Sequence, residues 1–203
     1  MVVRTVVVCL GDSITAGSPL WDPDPILRAQ IGAAADERSQ WEWWAGKRAP
    51  RLRFRNHGVD GERTDQIAAR LAGAVRGADV LVVEGGINDV VQRRPVADAA
   101  RNLAGMVEDG RRLGLAVALA DVLPWNNGDD RAAADILELN ARIHALADEL
   151  GLPLLPFHDT LVDAQRPHRM RDELTDDGDH PSVEGHRLLG ERVAPILQAA
   201  TNT

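Results

Sequence analysis

The run Val6-Val7-Val8-Cys9-Leu10, cut off by Gly11, constrains the fold of this chain more than any other stretch. β-Branched residues dominate it and no polar residue alternates with them. That is the pattern of a strand buried on both faces, as in a parallel sheet. In an open parallel sheet, ligands bind outside the carboxyl ends of the strands. The octapeptide Leu10-Gly11-Asp12-Ser13-Ile14-Thr15-Ala16-Gly17 therefore carries Ser13 to the edge where chemistry is expected. A turn serine or a helix N-cap would use the same residue, so the remaining stretches decide between the readings.

Similar apolar runs predict strands over Thr5–Leu10, Leu52–Asn56, Val80–Val83, Ala116–Ala120 and Leu154–Phe157. Between and after them, apolar residues recur at helical spacing: Ile67, Leu71 and Val75; Ile136, Leu139, Ile143, Leu146 and Leu150; Leu189, Val193, Ile196 and Leu197. Strands alternating with helices imply a parallel sheet, right-handed crossovers and helices on both faces. The expected fold is an α/β three-layer sandwich, read as one domain over residues 1–203, a length that suits one domain.

Composition narrows the partners. The net charge of −8 gives no reason to expect affinity for nucleic acid or an anionic membrane. Cys9 is the only cysteine, so no intrachain disulfide can form, and its place in an apolar run marks it as a core residue. No apolar run approaches the length of a membrane helix. The N-terminal run is short, has no cleavage pattern after it and reads as a strand, not a signal peptide. The expectation is a cytoplasmic protein without stable membrane insertion.

Three further stretches fall at strand ends. Asn56-His57-Gly58-Val59-Asp60-Gly61-Glu62-Arg63-Thr64 joins a strand to a helix, and its glycines free backbone N–H groups to face a ligand. Val82-Val83-Glu84-Gly85-Gly86-Ile87-Asn88-Asp89 ends another strand in glycines. Asn88 there offers an amide donor, which beside a backbone N–H suits a tetrahedral oxyanion. In Asp176-Asp177-Gly178-Asp179-His180-Pro181-Ser182, an acid three residues before a histidine can reach back to one imidazole nitrogen. The other nitrogen is then left for Ser13. Asp176 and Asp179 are substitutes for Asp177 as the orienting acid. Ser182 is a plausible N-cap, and His186 reads as structural.

The segment from Ser18 to Pro50 opens with Pro19-Leu20-Trp21-Asp22-Pro23-Asp24-Pro25, which suits neither a regular helix nor a central strand. Leaving the first strand beside Ser13, it is a candidate wall or lid of the site. A helix is expected to follow and to end near Trp44 to Lys47, with Trp41 and Trp44 on one face packing on the sheet. Trp21 and Trp125 are candidate substrate contacts, Trp125 because Leu123-Pro124-Trp125-Asn126-Asn127-Gly128 follows the fourth strand.

Taken together, the four stretches resemble the four motif blocks of the SGNH hydrolases, also called the GDSL esterase/lipase superfamily. Gly11-Asp12-Ser13 with Gly17, then Gly61, then Gly86-Ile87-Asn88-Asp89, then Asp177-Gly178-Asp179-His180-Pro181 follow in family order from residue 11 to residue 186. The long segment Ser18 to Pro50 is the main departure. The resemblance implies a flavodoxin-like sheet of five parallel strands and a serine esterase acting on short-chain acyl or acetyl esters. It further implies Ser13 as nucleophile, His180 as base and Asp177 as its orienter. The oxyanion would be held by the Ser13 and Gly61 N–H groups and the Asn88 side chain, with no metal or cofactor and a small-molecule ester as partner. Two other classes remain open: a metal-dependent hydrolase using Asp12, Asp89, Asp121, Asp177 and His180, and a non-catalytic carbohydrate-binding relative using the tryptophans as platforms.

Overall fold

Five strands, β1 (Thr5–Gly11), β2 (Leu52–Gly58), β3 (Val80–Val83), β4 (Ala116–Ala120) and β5 (Leu154–Leu155), pair in parallel in the order β2-β1-β3-β4-β5. They come from a computed structural model that describes residues 4–201. The helices are α1 (Ser13–Ala16), α2 (Pro25–Ile31), α3 (Trp41–Arg48), α4 (Thr64–Ala74), α5 (Ile87–Val91), α6 (Val96–Arg112), α7 (Asp130–Leu150), α8 (Phe157–Leu161) and α9 (Val183–Ala200).

Side chains on a strand alternate between faces, and here each face is apolar. Val8, Leu10, Leu81, Val83, Val117 and Leu119 pack with Ile67 and Leu71 of α4, Leu103 and Met106 of α6, and Leu139 and Ile143 of α7. Val7, Cys9, Val80, Val82, Ala118 and Ala120 pack with Trp41 of α3, Phe157 and Leu161 of α8, and Leu189 and Val193 of α9. Each fully buried Val, Leu, Ile or Phe stabilises the fold by about 1.5–3 kcal/mol relative to exposure. The result is a three-layer α/β/α sandwich of flavodoxin-like strand order. β2 lies on one side of β1 and β3 on the other, so the chain reverses its winding there. The crevice opens outside the carboxyl ends of β1 and β3.

Several details differ from the sequence reading. β5 stops at Leu155, because Pro156 cannot donate to the sheet, and Phe157 begins α8 instead of closing the strand. The chain also forms α6, whose buried face includes Ala99 and Gly110 and so has a thin apolar signature. A two-stranded antiparallel hairpin, β6 (Val162–Asp163) with β7 (Arg166–Met170), was likewise not anticipated.

Trp41 and Trp44 of α3, expected on one face, part company. Trp41 is fully buried against Phe54 and Phe157, with ring centroids 6.2 and 5.6 Å away. Trp44 meets Trp43 at 4.6 Å and donates Nε1–H to the Arg38 carbonyl at 2.8 Å. Cys9 is buried, and that burial, with the Glu42 charge nearby, pushes its thiol well above the usual range. Among the described residues no helix is long and apolar enough to cross a membrane.

Candidate active site

β1 ends where Asp12 turns the chain. Its Oδ1 accepts from the Ile14 N–H at 2.9 Å, capping the single-turn helix α1, and Gly17 closes that turn at φ +95°. Ser13 is thus held at the helix start, 5% exposed. From the far end of the sequence His180 brings Nε2 to 3.1 Å from Ser13 Oγ, and its Nδ1 lies 2.8 Å from Asp177 Oδ2. A carboxylate accepts only, so Nδ1 carries the ring proton and Nε2 is free to accept from the Ser13 hydroxyl.

The orienting acid is chosen by a local turn. Asp177 Oδ1 accepts from the N–H groups of Asp179 and His180 at 2.8 and 2.7 Å, while Oδ2 is left for the ring. Gly178 takes φ +82° in that turn. Burial alone would raise the Asp177 carboxyl. Hydrogen bonds from the His180 ring, the His180 N–H and the Asp179 N–H outweigh it and hold the carboxyl below its usual range. Asp179 is turned away, accepting at Oδ1 from Trp125 Nε1 at 2.6 Å and Asn127 Nδ2 at 2.8 Å. Asn127 Nδ2 also donates to the Asp177 carbonyl at 2.9 Å, tying the loop after β4 to the loop that carries the histidine.

Three groups with an N–H to offer, at Ser13, Gly61 and Asn88, line the same cavity as the histidine. The Ser13 and Gly61 N–H groups make no hydrogen bond among the described residues. Gly61 stands at φ +73°, a conformation that strains other residues. Asn88, in the first turn of α5, donates one amide hydrogen to the Glu62 carbonyl at 3.0 Å, which leaves the second for the site. Glu62 pairs with Arg70 at 2.6 Å, and Arg70 also donates to the carbonyls of His57 and Gly11, bracing the ends of β1 and β2 together. Asp89 does not face the site. It accepts from the Thr64 N–H and hydroxyl, both at 2.9 Å, and so fastens α5 to the start of α4.

Beneath Ser13 lies a buried carboxyl pair that sequence reasoning missed. Glu84 Oε2 accepts from the Asp12 N–H at 3.1 Å and from the Thr15 hydroxyl at 2.8 Å. Burial, with Glu84 beside it, raises the Asp12 carboxyl well above its usual range. Glu84 is raised by burial too, but hydrogen bonds from Thr15 and Asp12 offset part of that rise. Two buried carboxyls so close together resist ionising at the same time. A Cβ on Gly11 would collide with Glu84 Oε2 and Thr15 Oγ1, so the glycine that ends β1 also makes room for this carboxyl.

Ser13, Gly61, Asn88 and His180 share one cavity of about 220 Å³, with Trp125 as an aromatic wall. Trp21 lies outside that cavity and lines an adjoining cleft of about 360 Å³. The other acids considered from sequence are held by separate partners: Asp12 by the Ile14 N–H, Asp89 by Thr64, and Asp121 by His144 Nε2 at 2.9 Å and the His158 N–H at 2.8 Å. His186 is fully buried in α9, and among the described residues neither ring nitrogen has a hydrogen-bond partner. Ser182 caps that helix, accepting from the Gly185 N–H. A hollow of about 400 Å³ at the opposite end of the sheet, against Ala116 and Leu152, contains none of these groups.

Residues 9–188 match the model of the GDSL-like lipase/acylhydrolase family. Among solved structures, the chain is similar to a member of the lipolytic protein G-D-S-L family from Veillonella parvula, with TM-score 0.78 and 18% identity over 96% of this chain and 99% of that one. It is similar to a GDSL-like lipase from Bacteroides thetaiotaomicron, with TM-score 0.74 and 24% identity over 98% and 88%. It is also similar to an acetylxylan esterase from Geobacillus stearothermophilus, with TM-score 0.73 and 18% identity over 97% and 96%. At these identities the likeness is one of fold. No curated protein matches the chain.

Proposed function

We propose that this chain, which belongs to the GDSL-like lipase/acylhydrolase family, hydrolyses short-chain acyl or acetyl esters through a Ser13–His180–Asp177 triad and an acyl-enzyme. The observation that carries the reading is the single histidine bonded on one nitrogen to a serine hydroxyl and on the other to a carboxylate. Ser13 Oγ attacks the acyl carbon and its proton passes to His180 Nε2. The tetrahedral oxyanion is met by the Ser13 and Gly61 N–H groups and the free amide hydrogen of Asn88. Collapse breaks the bond to the alcohol oxygen, which leaves with the proton from Nε2. Water then repeats the sequence on the acyl-serine, returning the proton to Ser13. Asp177 holds the ring in one tautomer and stabilises the imidazolium. The cavity of about 220 Å³ favours a short acyl group.

Two measurements test this. A fluorophosphonate should label the protein once, at Ser13. Ser13→Ala should lose a factor of about 10⁴ or more in kcat while remaining folded. Labelling elsewhere, or full activity in the alanine variant, overturns the assignment. Saturable sugar binding without any ester turnover would favour a carbohydrate-binding role instead.

A further inference from the structure

The cavity that holds Ser13 and the cleft beside it share two residues, His180 and Asp60. The cleft touches His180 but not Ser13, Gly61 or Asn88. Once the oxyanion occupies its donors, the acyl carbon carries two other substituents, the acyl chain and the leaving oxygen. The leaving oxygen must lie against His180 Nε2, because that atom supplies its proton. Whatever is attached to that oxygen runs along the His180 side, where the cleft begins.

The chemistry of the cleft is uneven. Trp21, Leu27 and Ile31 make it apolar, and Leu27 and Ile31, four apart on α2, share a helix face. α2 contributes no buried side chain, and Leu27 remains 44% exposed. This is an apolar face left in water until a ligand covers it. Of its polar residues, Ser18, Asp22, Asp60 and His180, two are acids. Burial raises the Asp22 carboxyl above its ordinary value and the Asp24 and Asp60 charges add to the rise, while the Asp24 N–H and the Arg28 charge offset part of it. Among the described residues none that lines the cleft is lysine or arginine. The neighbouring Arg28 is stacked over Trp21 at 4.5 Å and donates Nη1 to the Asp22 carbonyl.

We propose that this cleft is the leaving-group subsite, that it receives an uncharged apolar alcohol, and that it rejects alcohols bearing an anionic group. The proposal rests on the ester hydrolysis read above and adds which side of the ester the Ser18 to Pro50 segment selects.

The test keeps the acetyl group and varies only a primary alcohol: ethyl acetate, 3-phenylpropyl acetate and 4-acetoxybutanoate, with Ser13→Ala as the control. For the wild type we expect kcat/KM about tenfold or more higher for the phenylpropyl ester than for the ethyl ester, and about tenfold or more lower for the anionic one. Leu27→Ser with Ile31→Ser should cut the phenylpropyl-to-ethyl ratio about tenfold. Asp22→Asn should raise the anionic-to-ethyl ratio several-fold. Circular dichroism verifies that the variants fold. If ethyl acetate is cleaved in a Ser13-dependent way but the ratios are flat, or do not respond to the variants, the subsite assignment is wrong and the esterase reading stands. If no acetate ester is turned over in a Ser13-dependent way, the esterase reading fails and takes this proposal with it.

Discussion

Glu84 accepts a hydrogen bond from the Asp12 N–H at 3.1 Å, joining the end of β3 to the peptide that presents Ser13. Both residues are buried, and the Thr15 hydroxyl, which also donates to Glu84, completes the cluster. The serine is therefore positioned from beneath by two adjacent strands.

That arrangement makes Glu84 sensitive. Glu84→Ala leaves the Asp12 N–H and the Thr15 hydroxyl without their acceptor, at roughly 1–3 kcal/mol for each buried group so stranded. Urea denaturation should show a clear loss of stability and the rate on a small acetyl ester should fall. Glu84→Gln keeps an acceptor of the same size and should lose much less of both. Equal behaviour of the two variants would mean that the hydrogen bonds do not matter.

Asn88→Ala removes one of the proposed oxyanion donors. The Glu62 carbonyl already holds its amide in place, so little reorganisation is needed as charge develops. We expect a fall of about 10²–10³ in kcat, with KM moving much less because the ground-state carbonyl carries less charge. Some activity should survive on the Ser13 and Gly61 donors. A large rise in KM at constant kcat would instead make Asn88 a uniform substrate contact.

Asp177→Asn should impair kcat strongly, since the amide no longer enforces the tautomer with Nδ1 protonated. Asp179→Asn should act differently. Its carboxylate accepts from Trp125 and Asn127, so the variant should alter the cavity wall and KM more than the proton transfer. Because the Asp177 carboxyl is held below its usual range, it stays ionised through mildly acidic pH. Loss of rate there should not follow an aspartate titration. Steady-state kinetics of both variants across pH decides the assignment.

His186 makes a prediction about stability. Burial, and then the charge of His180, lowers its pKa to about 3 against 6.5 for an exposed ring. Below about pH 6.5 the unfolded chain binds a proton here that the folded chain does not, so stability falls as pH falls from about 6.5 toward about 3. The slope from this group approaches 1.4 kcal/mol per pH unit, or about 2 kcal/mol between pH 6.5 and pH 5. The raised carboxyls Asp12, Glu42 and Glu84 act in the opposite sense, since they retain protons when folded. The measurement is therefore the difference between wild type and His186→Leu in urea at pH 7 and pH 5. The wild type should lose stability between the two relative to the variant. Parallel curves would show that the ring is not buried in its neutral form.

The amino-acid sequence by itself determined the strands of the sheet and the points where chemistry could sit. A strand buried on both faces needs an unbroken apolar run, and a run ended by glycine announces a turn at the strand's carboxyl end. The Asp177–His180 contact was legible for a related reason: it is made within three residues by a local turn. Preference for Asp177 over Asp179 required the backbone, because two N–H groups fix one carboxylate toward the ring while Trp125 and Asn127 draw the other away. α6 carries its own helical signal, but Ala99 and Gly110 on its buried face weaken it, and Gly110 matters only because Leu81 and Val117 lie against it.

What tertiary structure alone decided is every contact between residues distant in sequence. Glu84 is an unremarkable acid at the end of an apolar run until β3 pairs with β1 and Gly11 makes room for it. Trp41 and Trp44, one helical turn apart, separate because α3 is wedged between the sheet and α9, so the Trp41 ring enters the core while the Trp44 Cβ lies against Gly190. Trp21 and Trp125, both candidates from sequence, fall in different hollows on the two sides of His180. Local patterning is set by the periodicity of burial, which a sequence carries in itself. The partner of a buried polar group is set by which strands become neighbours, and that depends on the whole chain folding at once.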